Sequence, residues 1–287
     1  MGDCQPKNVI HNTFTMTKTL FSTIICVSAL CLITSCGQNK KNFKLETSFV
    51  DVGKGKLYTY TGGEGKNTVV FESGLGVDGS TWIESGIFDT IGKNDQVIAY
   101  DRQGYGKSTP TNDTRGMQAL VNDLDAVIKK KSFNDKVIIV GHSLGGAIAR
   151  AYAVQHPSRI KALLFVEPSN ENFKRYATMR QGHEDTIVQQ LKAEKMNGAA
   201  MEAEQLIENI TFLKNLNTLP DVPIIVITST KIDDEMTQEN IESWSLAHQS
   251  LEKGIANFSQ IKTSKSGHFV YQEDPNLVIN NIRKLLK

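Results

Sequence analysis

A chain of 287 residues with 39% hydrophobic and 22% charged residues has the make-up of a globular protein, long enough for one large domain or two small ones. Its formal net charge is +1, with no basic block beyond Lys129-Lys130-Lys131. That excludes the concentrated basic face of a nucleic-acid binder, so no nucleic-acid partner is expected. All four cysteines (Cys4, Cys26, Cys31 and Cys36) lie in the first 36 residues, which excludes a disulfide framework or a cysteine-held metal from the remainder.

The first element in chain order is apolar. Lys18 leads into Leu20 to Ile33, a run with the layout of a secretory signal peptide. It is shorter than the roughly 20 residues of a spanning helix. The run closes as Leu32-Ile33-Thr34-Ser35-Cys36, and this ending resembles a bacterial lipoprotein signal, where cleavage precedes a cysteine that receives lipid. The resemblance implies a leader over residues 1–36, lipid on Cys36, a polar tether over 37–42, and a membrane-anchored place in a bacterial cell envelope. Met1 to Thr15 fit no part of such a signal, which makes Met16 a candidate start.

From residue 43 to 287 a single domain of alternating strands and helices is expected. Phe49 to Tyr60 has the pattern of a hairpin with glycine and lysine in its turn. Thr68–Phe71, Gln96–Tyr100, Lys136–Val140, Ala162–Val166 and Pro223–Thr228 are short and nearly all apolar, as suits strands covered on both faces of a parallel sheet. Leu120, Val121, Leu124, Val127 and Ile128 repeat at helical spacing, and the three lysines that follow complement the helix dipole. Ala147 to Val154 predicts a small-residue helix, and Pro275 sets the start of the last one. The expected fold is α/β: a mostly parallel twisted sheet of about eight strands flanked by helices. Residues 169–218 break the rhythm, with no strand-like run and many Glu, Gln, Lys, Met and Ala. They predict a helical cap inserted between two strands.

Gly141-His142-Ser143-Leu144-Gly145 carries the chemistry. This G-x-S-x-G pattern follows a strand and precedes a helix, where the sharp turn that exposes a nucleophilic serine leaves no room for side chains two residues to either side. The chain from Phe49 onward resembles an α/β-hydrolase. Three further segments match: Phe71-Glu72-Ser73-Gly74-Leu75-Gly76, the turn Asp101 to Ser108, and the loop Ser266 to Pro275 ahead of the final helix. The resemblance implies a Ser–acid–His triad, with Ser143 as nucleophile and His268 as its base.

The other histidines fit poorly: His11 is in the leader, His183 in the cap, His142 inside the elbow, His156 at a helix end, and His248 beside Trp244 in a helical stretch. The acid stays open. Glu167 directly follows a strand, whereas Asp233 and Asp234 sit in the loop where many relatives carry the acid, one residue late for the usual spacing. The backbone N–H groups of Leu75 and Leu144 are the expected oxyanion hole, and Asp101 and Ser108 brace the turn. No metal or organic cofactor is implied. The expected substrate is a small or medium apolar ester, or a related acyl compound, because the cap is rich in Leu, Ile and Met. The rival class is a ligand-binding or sensing protein that keeps the triad but barely turns over.

Overall fold

The computed structural model describes residues 43–177, 183–233 and 236–287. The leader, the tether with Cys36, and Asp234 therefore lie outside the described residues. In chain order come β1 (Leu45–Asp51), β2 (Lys56–Gly62), β3 (Thr68–Glu72), α1 (Ser80–Glu84), α2 (Ile87–Gly92), β4 (Gln96–Tyr100) and α3 (Met117–Lys131). Next are β5 (Val137–His142), α4 (Leu144–Gln155) and β6 (Ile160–Val166). The helices α5 (Lys174–Ala177), α6 (His183–Ala193), α7 (Asn197–Ala203) and α8 (Leu206–Lys214) separate β6 from β7 (Ile224–Ser229). Then α9 (Gln238–Gln249), β8 (Phe258–Thr263), α10 (Val270–Glu273) and α11 (Pro275–Leu285) complete the chain. No described helix is long and apolar enough to cross a membrane.

The eight strands form one sheet in the order β1-β2-β4-β3-β5-β6-β7-β8. The hairpin β1–β2 is antiparallel and joins β4 antiparallel, while every pair from β4 through β8 is parallel. The near-continuous apolar runs are explained by cover on both faces. Val70, Ile139, Phe165 and Val226 point to one face, where α3 and α4 pack with Leu124, Ile128, Ile148 and Tyr152. Their neighbours Phe71, Val140, Leu164 and Ile227 point to the other, against Trp82 of α1, Phe88 of α2 and Ile282 of α11. Each such side chain contributes about 1.5–3 kcal/mol when fully buried.

The last helix shows local sequence chemistry at work. Asp274 caps it by accepting from Leu277 N at 3.1 Å, with Pro275 in the first turn, an arrangement worth about 1 kcal/mol. β8 is the strand that no apolar run announces. It lies at the sheet edge with none of its residues buried and two of the six exposed, and its sequence FSQIKT is correspondingly polar.

Between β6 and β7 the described residues form four helices and no strand, as the cap expectation requires. Thr186 and Ile187 of α6, Glu202 and Ala203 of α7 and Ile210 and Leu213 of α8 line one cavity with Ser143, Glu167, Ser229 and His268, which follow or end the parallel strands.

Candidate active site

Ser143 sits between β5 and α4 with φ 51 and ψ −119, one of three described non-glycine residues at positive φ. Strain of this kind costs on the order of 1–3 kcal/mol and persists only where its surroundings over-determine it. Here Ser143 N donates to Val166 O at 3.1 Å, and its carbonyl accepts from Gly146 N at 2.9 Å and Ser169 N at 3.0 Å. The flanking glycines are sterically enforced. A Cβ on Gly141 would meet Gly145 O at 2.5 Å, one on Gly145 would meet Glu72 O at 2.3 Å, and one on Gly146 would meet the Pro168 Cβ at 2.6 Å.

The end of β6 repeats the device. Glu167 also has φ 51, its N–H donates to Ile227 O at 2.9 Å, and its side chain is buried. Three groups meet its carboxylate. Ser229 N donates to Oε1 at 2.5 Å, Trp244 Nε1 donates to Oε2 at 3.1 Å, and His268 Nδ1 stands 3.3 Å from Oε2. With Nδ1–H turned to the carboxylate, Nε2 of His268 is left as the basic nitrogen. The ring is 43% exposed and, like Ser143, lines a cavity of about 820 Å³.

Asp233, the other acid the sequence leaves open, also lines that cavity. It is exposed, and its Oδ1 accepts from Met236 N at 2.8 Å. The structure thus brings Glu167, not Asp233, to the imidazole, because β6 ends beside β7 and α9 while the Asp233 loop stays at the surface.

On the far side of Ser143, the loop after β3 approaches the elbow so closely that a Cβ on Gly74 would meet His142 Nδ1 at 2.8 Å and the Ser143 Cβ at 3.2 Å. Leu75 follows it, and Leu144 is the first residue of α4, whose N–H no intrahelical carbonyl accepts. Both line the cavity. Among the described residues no cluster of three or more His, Cys, Asp or Glu is placed to hold a metal ion.

Residues 67–197 match the family described as the alpha/beta hydrolase fold. An epoxide hydrolase mutant from Vigna radiata superposes with a TM-score of 0.67 at 17% identity, covering 85% of this chain and 98% of that one. Cfl2 from Burkholderia cenocepacia gives 0.64 at 14% identity, over 87% and 98%. The chain has the α/β-hydrolase fold. Relatives by sequence include YbdG, an uncharacterized protein of Bacillus subtilis (strain 168), 28% identical over 163 residues, which are 53% of this chain and 50% of YbdG. YqjL of the same organism, also uncharacterized, is 22% identical over 74% of this chain and 80% of its own length. The 1-acylglycerol-3-phosphate O-acyltransferase ABHD5 of Sus scrofa is 36% identical over 28% of this chain and 24% of ABHD5. The chain thus matches half of YbdG and a quarter of ABHD5.

Several parts of this site are not legible in the sequence. The chain has two tryptophans, and both brace the site. Trp244 donates to Glu167, and Trp82 Nε1 donates to Ser73 Oγ at 3.1 Å, under the loop that carries Leu75. Their rarity is the signal that could have found them. His142 is fully buried and neutral, since burial and the nearby His268 hold its pKa well below the usual value. Its Nε2 lies 2.9 Å from His268 O and seats that residue's backbone. His248, in α9, contacts Thr228 Oγ1 and Pro168 O, both at 2.8 Å, with burial lowering its pKa to about 4, so it is a neutral strut. Asp101 accepts from Gly79 N at 3.0 Å and Lys107 N at 2.9 Å, and Ser108 Oγ donates to Asp101 O at 2.6 Å. The pair braces its turn, as expected from sequence.

Proposed function

We propose that the chain is a serine hydrolase that cleaves a carboxylic ester, or a related acyl bond, of a small or medium apolar substrate through an acyl-enzyme on Ser143. One observation carries it. The strained elbow presents Ser143 to the cavity that His268 also lines, with the Glu167 carboxylate at Nδ1 of that histidine. A free hydroxyl is a weak nucleophile at neutral pH and needs such a base.

In the proposed reaction His268 takes the Ser143 proton as the oxygen attacks the substrate carbonyl. Leu75 and Leu144 N–H groups stabilise the oxyanion, and His268 then protonates the departing alcohol. Water attacks the acyl-enzyme by the same steps, releasing acid and free serine. Glu167 holds the imidazole in its tautomer and stabilises the imidazolium. Serine at the elbow sets this chemistry apart from an aspartate-nucleophile epoxide opening, so the likeness to an epoxide hydrolase is one of fold.

The cavity supports the apolar substrate class. Its volume of about 820 Å³ is in the range of small-molecule sites. Met117, Ala147, Phe173, Ile210, Leu213 and Trp244 are among its apolar lining. A series of p-nitrophenyl esters of graded acyl length, with Ser143→Ala alongside and a fluorophosphonate probe, tests the function. Hydrolysis and labelling that both vanish in Ser143→Ala support it. A folded wild type that neither hydrolyses nor labels would point to a ligand-binding protein instead.

The anchor is proposed on sequence alone: lipid on Cys36 tethers the domain to a bacterial membrane. Release of Cys36→Ser, but not wild type, into the soluble fraction tests it.

A further inference from the structure

Arg102, in the turn after β4, is 2% exposed, and all of its N–H donors are engaged. Nη1 donates to Ser73 O at 2.7 Å and Glu72 Oε1 at 3.0 Å. Nη2 donates to Gly74 O at 2.7 Å and Glu202 Oε2 at 3.0 Å, and Nε donates to Glu202 Oε1 at 2.7 Å. Two of these acceptors are consecutive carbonyls of the loop that delivers Leu75. Glu202 comes from α7, 100 positions further along the chain.

A second path joins the same partners. Tyr105 OH donates to Glu202 Oε2 at 2.6 Å and accepts from Gly76 N at 3.3 Å. The Leu75 side chain, between these ties, packs against Val188, Ala200 and Ala203 of the helical segment. Burial opposes the Arg102 charge, but Glu202, Tyr105 and Glu72 hold its pKa well above the ordinary value.

We infer that Glu202 is a positioning residue: through Arg102 and Tyr105 it holds the Ser73–Gly76 backbone so that the Leu75 N–H meets the developing oxyanion. This rests on the proposed serine hydrolysis. The α7 helix then completes the oxyanion hole and does more than wall the cavity. Donor placement matters most where negative charge forms, so the effect falls on turnover and spares ground-state binding.

The full chain is assayed with p-nitrophenyl butyrate as wild type, Glu202→Gln, Tyr105→Phe and, as an exposed control just past the end of α7, Glu204→Gln. Hydrogen exchange of the Leu75 and Gly76 amides is followed in each. Glu202→Gln should lower kcat about 10- to 100-fold with KM within about twofold, Tyr105→Phe about 3- to 10-fold, and Glu204→Gln not at all. Exchange at Leu75 and Gly76 should speed up in the first two variants only. A folded Glu202→Gln with wild-type kcat and exchange overturns the inference, and so does a loss confined to KM. If Glu202→Gln does not fold, Tyr105→Phe decides by the same two readouts. If wild type proves inert on every ester, the hydrolase proposal fails on its own, and the exchange arm still decides whether Glu202 sets this loop.

Discussion

The two sides of Ser143 are built by different means. On the histidine side the parts come from neighbouring strands: Glu167 directly follows β6, Ser229 ends the adjacent β7, and His268 follows β8. Register sets Glu167 beside Ser229, whose N–H donates to the carboxylate, and Trp244 of α9 and His142 complete the holding. On the oxyanion side the Leu75 loop is held by side chains, with a guanidinium at the centre and a carboxylate borrowed from the helical segment. The first side needs the sheet and α9. The second waits for α7 to dock, so damage there should be graded while damage to the first should be severe.

Glu167→Gln breaks the histidine side most directly. The amide cannot stabilise an imidazolium and favours the wrong tautomer, so kcat should fall about a thousand- to ten-thousand-fold. Asp233→Asn should stay within about twofold, given its exposed carboxylate. Steady-state kinetics on one ester checks both, and the reverse ranking would mean that the surface loop supplies the acid.

The oxyanion side is tested through pH. Burial pushes the Glu72 carboxyl from 4.5 up to about 7, against the opposing pull of Arg102 and Tyr100. A raised carboxyl keeps its proton in the folded chain where the unfolded chain has lost it. Stability therefore falls as pH rises from about 4.5 to about 7, and the loss is complete above that. Glu72→Gln removes this titration. Across that window wild type should lose on the order of 3 kcal/mol relative to the variant, as measured by denaturant melts at each pH. A constant difference would show that Arg102 keeps Glu72 ionised throughout.

A much smaller loss than that of Glu167→Gln belongs to Trp244→Phe, which removes one donor from Glu167 and leaves the other two partners. A loss of about 3- to 10-fold in kcat is expected. A loss as large as that of Glu167→Gln would make the indole, not Ser229 N, the main support of the acid.

The same contrast governs what the sequence discloses. The parallel strands were legible because cover on both faces forces continuous apolar runs, and the elbow was legible because sterics force Gly141 and Gly145. Edge strand β8 carries no such run. Choosing Glu167 over Asp233 required knowing that Trp244 and Ser229 converge on one carboxylate. Glu202 was invisible, an acid among many in a charged helical stretch. Arg102 lay in plain view beside Asp101, but only its distant partner reveals its job.

The approach of Gly104 to Gly198 limits how this molecule can be re-engineered. A Cβ on Gly104 would meet the Gly198 Cα at 2.7 Å, and one on Gly198 would meet Gly104 O at 2.6 Å. Any side chain at either position would lift α7 off the turn and pull Glu202 away from Arg102. A chimera that grafts foreign helices onto this sheet would keep Ser143 and His268 yet lose the tie between Glu202 and the Leu75 loop. The portable unit is a glycine and an acid one helical turn apart, Gly198 with Glu202, travelling together.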